Sequence, residues 1–110
     1  MERIQLLTLA FAIFGLASAG QAADAKANWD KHCVKCHAKD GSGSTTMGKK
    51  LKVLDYTKAE DQKKFTDAEA IKITKEGKKD GSRTLMKAYA DELTEDEIKA
   101  LVKLVREMQK

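Results

Sequence analysis

Cys33-Val34-Lys35-Cys36-His37 is the stretch on which the reading of this chain turns. It places two thiols three residues apart and a histidine directly after the second, the C-x-x-C-H pattern of covalent haem attachment. On a helical turn, residues three apart share a face. Both sulfurs can therefore bond to the two vinyl edges of one porphyrin, and the imidazole that follows falls where an iron needs a nitrogen ligand. The pattern implies a single c-type haem, with Cys33 and Cys36 as thioether attachments and His37 as the proximal ligand.

Other chemistry for the same residues fits less well. A thioredoxin-like dithiol needs a βαβ setting, and no strand pattern flanks the motif. A disulfide between cysteines three apart would close a tiny loop and stabilise little. A structural zinc site takes four ligands, usually from two separated clusters, whereas His32, Cys33, Cys36 and His37 form one short stretch with no second pair. His32 lies on a different helix face from His37 and reads as solvated.

The sixth iron ligand is then the open question. A thioether sulfur raises the potential of a haem relative to two histidines, and Met47, Met86 and Met108 follow the motif. Met108 continues the apolar stripe of a terminal helix and reads as core. Met47 comes ten residues after His37, so its short loop would have to wrap the ring edge. Met86, 49 residues downstream, has enough chain to cross to the far side. Reach favours Met86, with Met47 next and an open or water-bound iron last.

Upstream, residues 1–23 have the makings of a secretory signal. Arg3 gives a weak positive start, Ile4 to Leu16 is largely apolar, and Ala17-Ser18-Ala19 is a small-residue cleavage motif, so cleavage is expected after Ala19, Ala22 or Ala23. The apolar run is short against the roughly 20 residues of a spanning helix, and stable membrane insertion of the mature chain is not expected. Export also suits the motif, because bacteria attach c-type haem on the export side. Removing 1–23 from the 110 residues leaves 87, a single domain over 24–110. A domain of this size usually needs a staple. Its aromatics are only Trp29, Tyr56, Phe65 and Tyr89, so a bound macrocycle would complete the core.

The net charge of +4 survives cleavage because Glu2 and Arg3 cancel. A mixed charged surface is an ordinary solubility device. Nucleic acid is an improbable partner, given the export signal and aromatics that do not interleave with the basic residues.

The rest of the domain reads as short helices parted by glycine-marked loops, with no convincing strand. A first helix is expected over Ala25 to His37, followed by a turn at Gly41-Ser42-Gly43-Ser44. Thr66 and Glu69 form a capping box that opens a helix running to a stop at Gly77. Thr94 and Glu97 form another, with Leu93 and Ile98 placed as a hydrophobic staple. Ile98, Leu101, Val102, Val105 and Met108 then follow at helical spacing. Thr57 to Glu60 makes a third such box. The stretch Lys78 to Leu93 is expected to be irregular.

Taken with the late methionine, these features resemble a small monohaem class I c-type cytochrome of the bacterial periplasm. The likeness spans the whole domain. It includes Trp29 four residues before the first cysteine, Cys33 to His37, Asp40 to Gly43, Met86 with Tyr89 three residues on, and the final helix. It implies an all-α, cytochrome c-like fold of three to five short helices wrapped around one covalently bound haem. It also implies a crossing of the first and last helices where Trp29 meets the Leu101–Val105 stripe, and axial ligation by His37 and Met86. The chain departs from the family pattern in two places. Lys87 stands where a proline usually follows the ligand methionine, and no proline after His37 offers a carbonyl to the imidazole N–H. Another carbonyl is expected to accept that proton, and the Met86–iron bond is expected to be more labile than usual.

The function implied is a soluble periplasmic electron carrier rather than an enzyme, since two filled axial positions leave no site for substrate. The lysines Lys35, Lys39, Lys49, Lys50, Lys52, Lys78, Lys79 and Lys87 fall in segments expected to frame the exposed haem edge. They suit redox protein partners with acidic docking surfaces. A haem enzyme or gas sensor with a displaceable sixth ligand is the rival reading. Against peroxidase chemistry, no histidine beyond His32 and His37 could serve as a distal acid or base. A dedicated subunit of a larger respiratory complex is a third. No extra apolar face suggests more than a monomer.

Overall fold

The computed structural model describes residues 13–110; residues 1–12 of the expected export signal lie outside the described residues. Among the described residues, six helical segments and one hairpin follow in order. They are α1 (Ile13–His32), α2 (Val34–His37), α3 (Thr46–Leu51), α4 (Ala59–Gln62), α5 (Asp67–Glu76), β1 (Lys78–Asp80), β2 (Arg83–Met86) and α6 (Glu95–Glu107). Among the described residues, no helix is long and apolar enough to cross a membrane.

The C-terminal helix shows how the sequence sets an element and its partner at once. Thr94 accepts from the Glu97 amide while the Glu97 carboxylate accepts from the Thr94 amide, the reciprocal cap expected from the sequence. Glu95, Asp96 and Glu97 sit at the positive end of the helix dipole and Arg106 at the negative end. The apolar stripe Ile98, Leu101, Val102 and Val105 is buried. It packs on α1, where Trp29 joins Leu93, Ile98, Leu101 and Val105 in one core cluster. Ile98 is only 1 % exposed, a degree of burial that contributes about 1.5–3 kcal/mol for such a side chain. The other Glu97 oxygen accepts from Asn28 Nδ2 at 3.3 Å, tying the start of α6 to α1.

The first helix is longer than the expected Ala25–His37 and pauses once. It begins at Ile13, breaks at Cys33 and resumes as α2. The break is slight, because the Cys33 amide still reaches the Trp29 carbonyl and the His37 amide the Cys33 carbonyl, both at 2.9 Å. The Thr66 capping box opens α5 as expected, and Gly77 ends it.

Two expectations are corrected and one element is added. Thr57 does not cap α4; Lys58 holds that position with no side-chain bond, and the Thr57 amide and hydroxyl both donate to Asp55 Oδ1 in the turn before the helix. Thr45 caps an additional helix, α3, by accepting from the Gly48 amide. The supposedly irregular stretch after Gly77 contains an antiparallel hairpin, pairing Lys78 with Met86, Lys79 with Thr84 and Asp80 with Arg83, with a bulge between Lys78 and Lys79. Its two-residue turn is Gly81-Ser82, with Gly81 at φ +63°.

Candidate functional site

Cys33, Cys36 and His37 lie within one helical turn seated on the helix crossing, with Cys33 and Val34 packed against the core cluster. Both cysteines are free thiols, each half-buried. Burial, reinforced by the neighbouring Cys36, pushes the Cys33 thiol up to about 12, so it remains protonated. The turn is held from three sides. Trp29 Nε1 donates to the Ala38 carbonyl at 3.0 Å and closes the end of α2. The Gly43 amide donates to the His37 carbonyl at 2.9 Å. The Thr45 hydroxyl donates to the Cys36 carbonyl at 3.0 Å. Gly48 lies so close to that same carbonyl that a Cβ would collide with it; only glycine lets α3 approach.

The His37 imidazole is enclosed by aromatic rings. Tyr56 stacks on it, with ring centroids 5.3 Å apart and planes 21° from parallel. Trp29 lies at 5.7 Å, tilted by 39°. Burial lowers the imidazole's pKa, which favours the neutral ring whose lone pair a metal requires. The carbonyl expected to accept from this ring is not there. Nδ1 is buried and has no hydrogen-bond partner, while the nearby carbonyls of His37, Ala38 and Gly41 accept from Gly43, Trp29 and Tyr56. Such an orphaned polar atom is costly in a protein interior, and it sets His37 apart from the usual ligating histidine, whose second nitrogen donates to a carbonyl or carboxylate. Two thiols on one turn beside a neutral, buried imidazole suit a covalently attached porphyrin with a nitrogen ligand to its iron.

The methionines fall in three environments. Met108 caps the C-terminus of α6 and packs against the core cluster, as its place in the apolar stripe suggested. Met47 is half-buried on α3, the helix fastened onto the Cys36 carbonyl. Met86 is half-buried at the end of β2, and its segment is anchored at both ends. Before it, Gly77 at φ +78° lies against the Met86 carbonyl, where a Cβ would come within 2.7 Å. After it, the amides of Tyr89 and Ala90 donate to the carbonyls of Thr74 and Lys75 at the end of α5. The Tyr89 hydroxyl then donates to the His32 carbonyl at 3.1 Å, with the two rings edge to face at 5.3 Å. This contact returns the Met86 segment to the residue before Cys33. His32 is thus half-buried under Tyr89 rather than freely solvated.

Two residues near the site have roles that the sequence did not point to. Tyr56, read there as a core aromatic and a candidate for the haem propionates, stacks on His37 instead. The other is Gln62, a buried amide whose Nε2 donates at 2.8 Å to the carbonyls of both Tyr56 and Val105. A polar residue amid lysines looks like surface, and only the fold brings α6 to it.

Comparison with known proteins agrees with this geometry. The family model described as cytochrome c matches residues 22–109. The solved structure of the KustC0563 c-type cytochrome is similar to this chain at 33 % identity and a TM-score of 0.68, covering 79 % of this chain and 99 % of its own. A tyrosine-to-phenylalanine mutant of that cytochrome gives 32 % and 0.66, with 78 % and 99 % covered. No curated protein matches.

Proposed function

The chain belongs to the cytochrome c family, and from that premise we propose that it is a diffusible carrier of single electrons in the bacterial periplasm. Membership makes it a haem-binding electron-transfer protein with covalently attached haem c. The bound group supplies the redox chemistry, its iron alternating between the ferrous and ferric states. In this reading Cys33 and Cys36 form the thioethers, and His37 and Met86 are the axial ligands. Residues 1–23 direct export, and 24–110 form the working domain.

The observation that carries the assignment is the Tyr89–His32 tie, which brings the Met86 segment back beside Cys33. Met47 is less well placed, because α3 is fastened to the turn that carries His37 and has little freedom to cross to the other haem face. His37 and Met86, both on packed segments, would hold the iron from fixed positions, so that little rearrangement would accompany each electron. That suits a carrier better than an enzyme. Lys78, Lys79 and Arg83 are exposed on the hairpin, next to the ligand segment. They would draw a redox protein with an acidic docking surface.

The test is the absorption spectrum of the ferric and dithionite-reduced holoprotein, for wild type and Met86→Ala. Wild type is expected to show a low-spin c-type haem with a methionine-to-iron charge-transfer band, which the variant loses. A band that survives Met86→Ala would move the ligand to Met47. A high-spin wild type that rapidly binds carbon monoxide when reduced would replace the carrier with an open-site enzyme or sensor.

A further inference from the structure

A ligating histidine is ordinarily oriented by a hydrogen bond from its second nitrogen, which fixes the ring plane and makes the imidazole a stronger donor to the metal. His37 has no such bond, since Nδ1 is buried without a partner. Its ring must be held by something else, and the nearest candidate is the Tyr56 ring stacked on it at 5.3 Å.

Tyr56 in turn is fixed by a buried lock. Gln62, 5 % exposed, donates from one nitrogen to the Tyr56 carbonyl and to the Val105 carbonyl of α6, both at 2.8 Å. Its amide oxygen accepts from Arg106 Nη1 at 2.8 Å, and Arg106 Nη2 reaches the Phe65 carbonyl at 2.9 Å. The guanidinium lies over the Phe65 ring, 4.3 Å from its centroid, and Phe65 meets Tyr56 edge to face at 5.7 Å. Every polar atom of the Gln62 side chain is thus engaged. A fully satisfied buried network of this kind rigidifies what it touches.

We propose that Gln62 and Tyr56 are positioning residues for the haem: the Gln62–Arg106 lock holds the Tyr56 ring against His37, and this stack, in place of a hydrogen bond, sets the plane and donor strength of the imidazole. The inference rests on His37 being the proximal ligand. Its consequence is electronic as well as steric. An Nδ1–H shielded from acceptors leaves the imidazole a weaker donor, which favours the ferrous state and raises the potential. Removing the ring admits water to Nδ1, strengthens the donor and lowers the potential.

The experiment uses ferric holoprotein. The hyperfine-shifted haem methyl protons in its NMR spectrum report the orientation of the axial ligand planes, and a redox titration reports the potential. Tyr56→Phe, which keeps the ring, is expected to retain the wild-type methyl pattern and potential. Tyr56→Ala is expected to change the pattern and lower the potential. Gln62→Glu, which keeps an acceptor for Arg106 but removes the donation to Tyr56, is expected to change the pattern in the same sense by a smaller amount. Arg106→Lys, milder still, should follow Gln62→Glu and serves if that variant does not fold. Loss of thermal stability with an unaltered methyl pattern in both Tyr56→Ala and the lock variant would overturn the proposal, since a purely structural lock predicts that result. Equal effects of Tyr56→Phe and Tyr56→Ala would also overturn it, by assigning the role to the hydroxyl. A wild-type spectrum without hyperfine-shifted His37 ring protons would remove the ligand assignment itself.

Discussion

The two expected axial ligands arise from regions built in opposite ways. His37 sits at the end of a turn packed against the helix crossing, braced by Trp29, Tyr56 and the Thr45 hydroxyl, all from well-buried or half-buried positions. Met86 ends a hairpin whose first strand is wholly exposed and whose second is exposed over its first half. Hydrophobic burial fixes the histidine side, whereas a few backbone approaches and one tyrosine fix the methionine side. The difference teaches that the haem domain can lose strength in two distinct ways. Damage to the crossing should unfold it, and damage at the hairpin base should release the sulfur from a protein that stays folded.

The largest effect is therefore expected at the crossing. Trp29→Ala removes a buried indole from the core cluster and its bond to the Ala38 carbonyl. It should cost about 3–5 kcal/mol in chemical denaturation of the holoprotein. A loss below about 1 kcal/mol, the worth of a hydrogen bond alone, would show that the crossing is not where the stability lies. Next in size is Gly77→Ala. Gly77 has φ +78° and ψ −179°, a region open almost only to glycine, and forcing another residue there costs about 1–3 kcal/mol. The added Cβ would also press within 2.7 Å of the Met86 carbonyl and 2.9 Å of the Ala88 amide, both backbone and unable to move cheaply. The hairpin base should shift, and the methionine charge-transfer band should weaken or vanish at lower pH than in wild type. Gly81→Ala is the control: its φ of +63° strains alanine as well, but nothing lies within 4 Å of its Cβ, so it should cost stability at the tip while leaving the band intact. Equal effects of the two substitutions would erase the distinction between the hairpin's anchored base and its free tip.

Legibility in the sequence followed the same division. The capping boxes at Thr66 and Thr94 were readable because both partners of each lie within four residues. The attachment motif was readable for the same reason. The crossing at Trp29 needed the family resemblance, since no local pattern says which helix meets which. The hairpin was missed because its first strand is exposed throughout and its second half-buries only its last two residues, so neither shows an alternation of apolar and polar residues. Its trace was the Gly81-Ser82 pair, a two-residue hairpin turn signal. Helix α3 was hidden by Gly48, which reads as loop but serves the close approach to Cys36. The Thr57 box fits the pattern, but Thr57 is drawn into a turn in which its amide and hydroxyl both donate to Asp55, and the helix starts one residue later. Gln62 lies 43 residues from Val105, and no pattern along the chain connects them. The sequence pointed to an accepting carbonyl for His37 by analogy with the family, and the structure corrected it with a stacked ring.

The smallest effect on stability, and the most specific on function, should come from the hairpin's outer face. Among the described residues, Lys78, Lys79 and Arg83 form no ion pair, and Asp80 is the only acid between Lys78 and Met86. Lys87 differs, because Glu92 accepts from it at 2.8 Å and holds its pKa above the usual value. Uncompensated charge beside the segment that carries Met86 costs little in an exposed, solvated strand, yet it shapes the field that an approaching partner would meet. Lys79→Glu and Arg83→Glu should each change stability by less than about 0.5 kcal/mol. Each should slow electron transfer with an acidic redox protein several-fold at low ionic strength, and the gap should close as salt is added. Lys87→Glu should have a weaker effect, since its charge is already partly answered by Glu92. Stopped-flow rates across a range of ionic strengths make the comparison directly. Rates and salt slopes that match wild type for both Lys79→Glu and Arg83→Glu would leave the hairpin as a holder of Met86 alone, with the docking surface elsewhere around the haem edge.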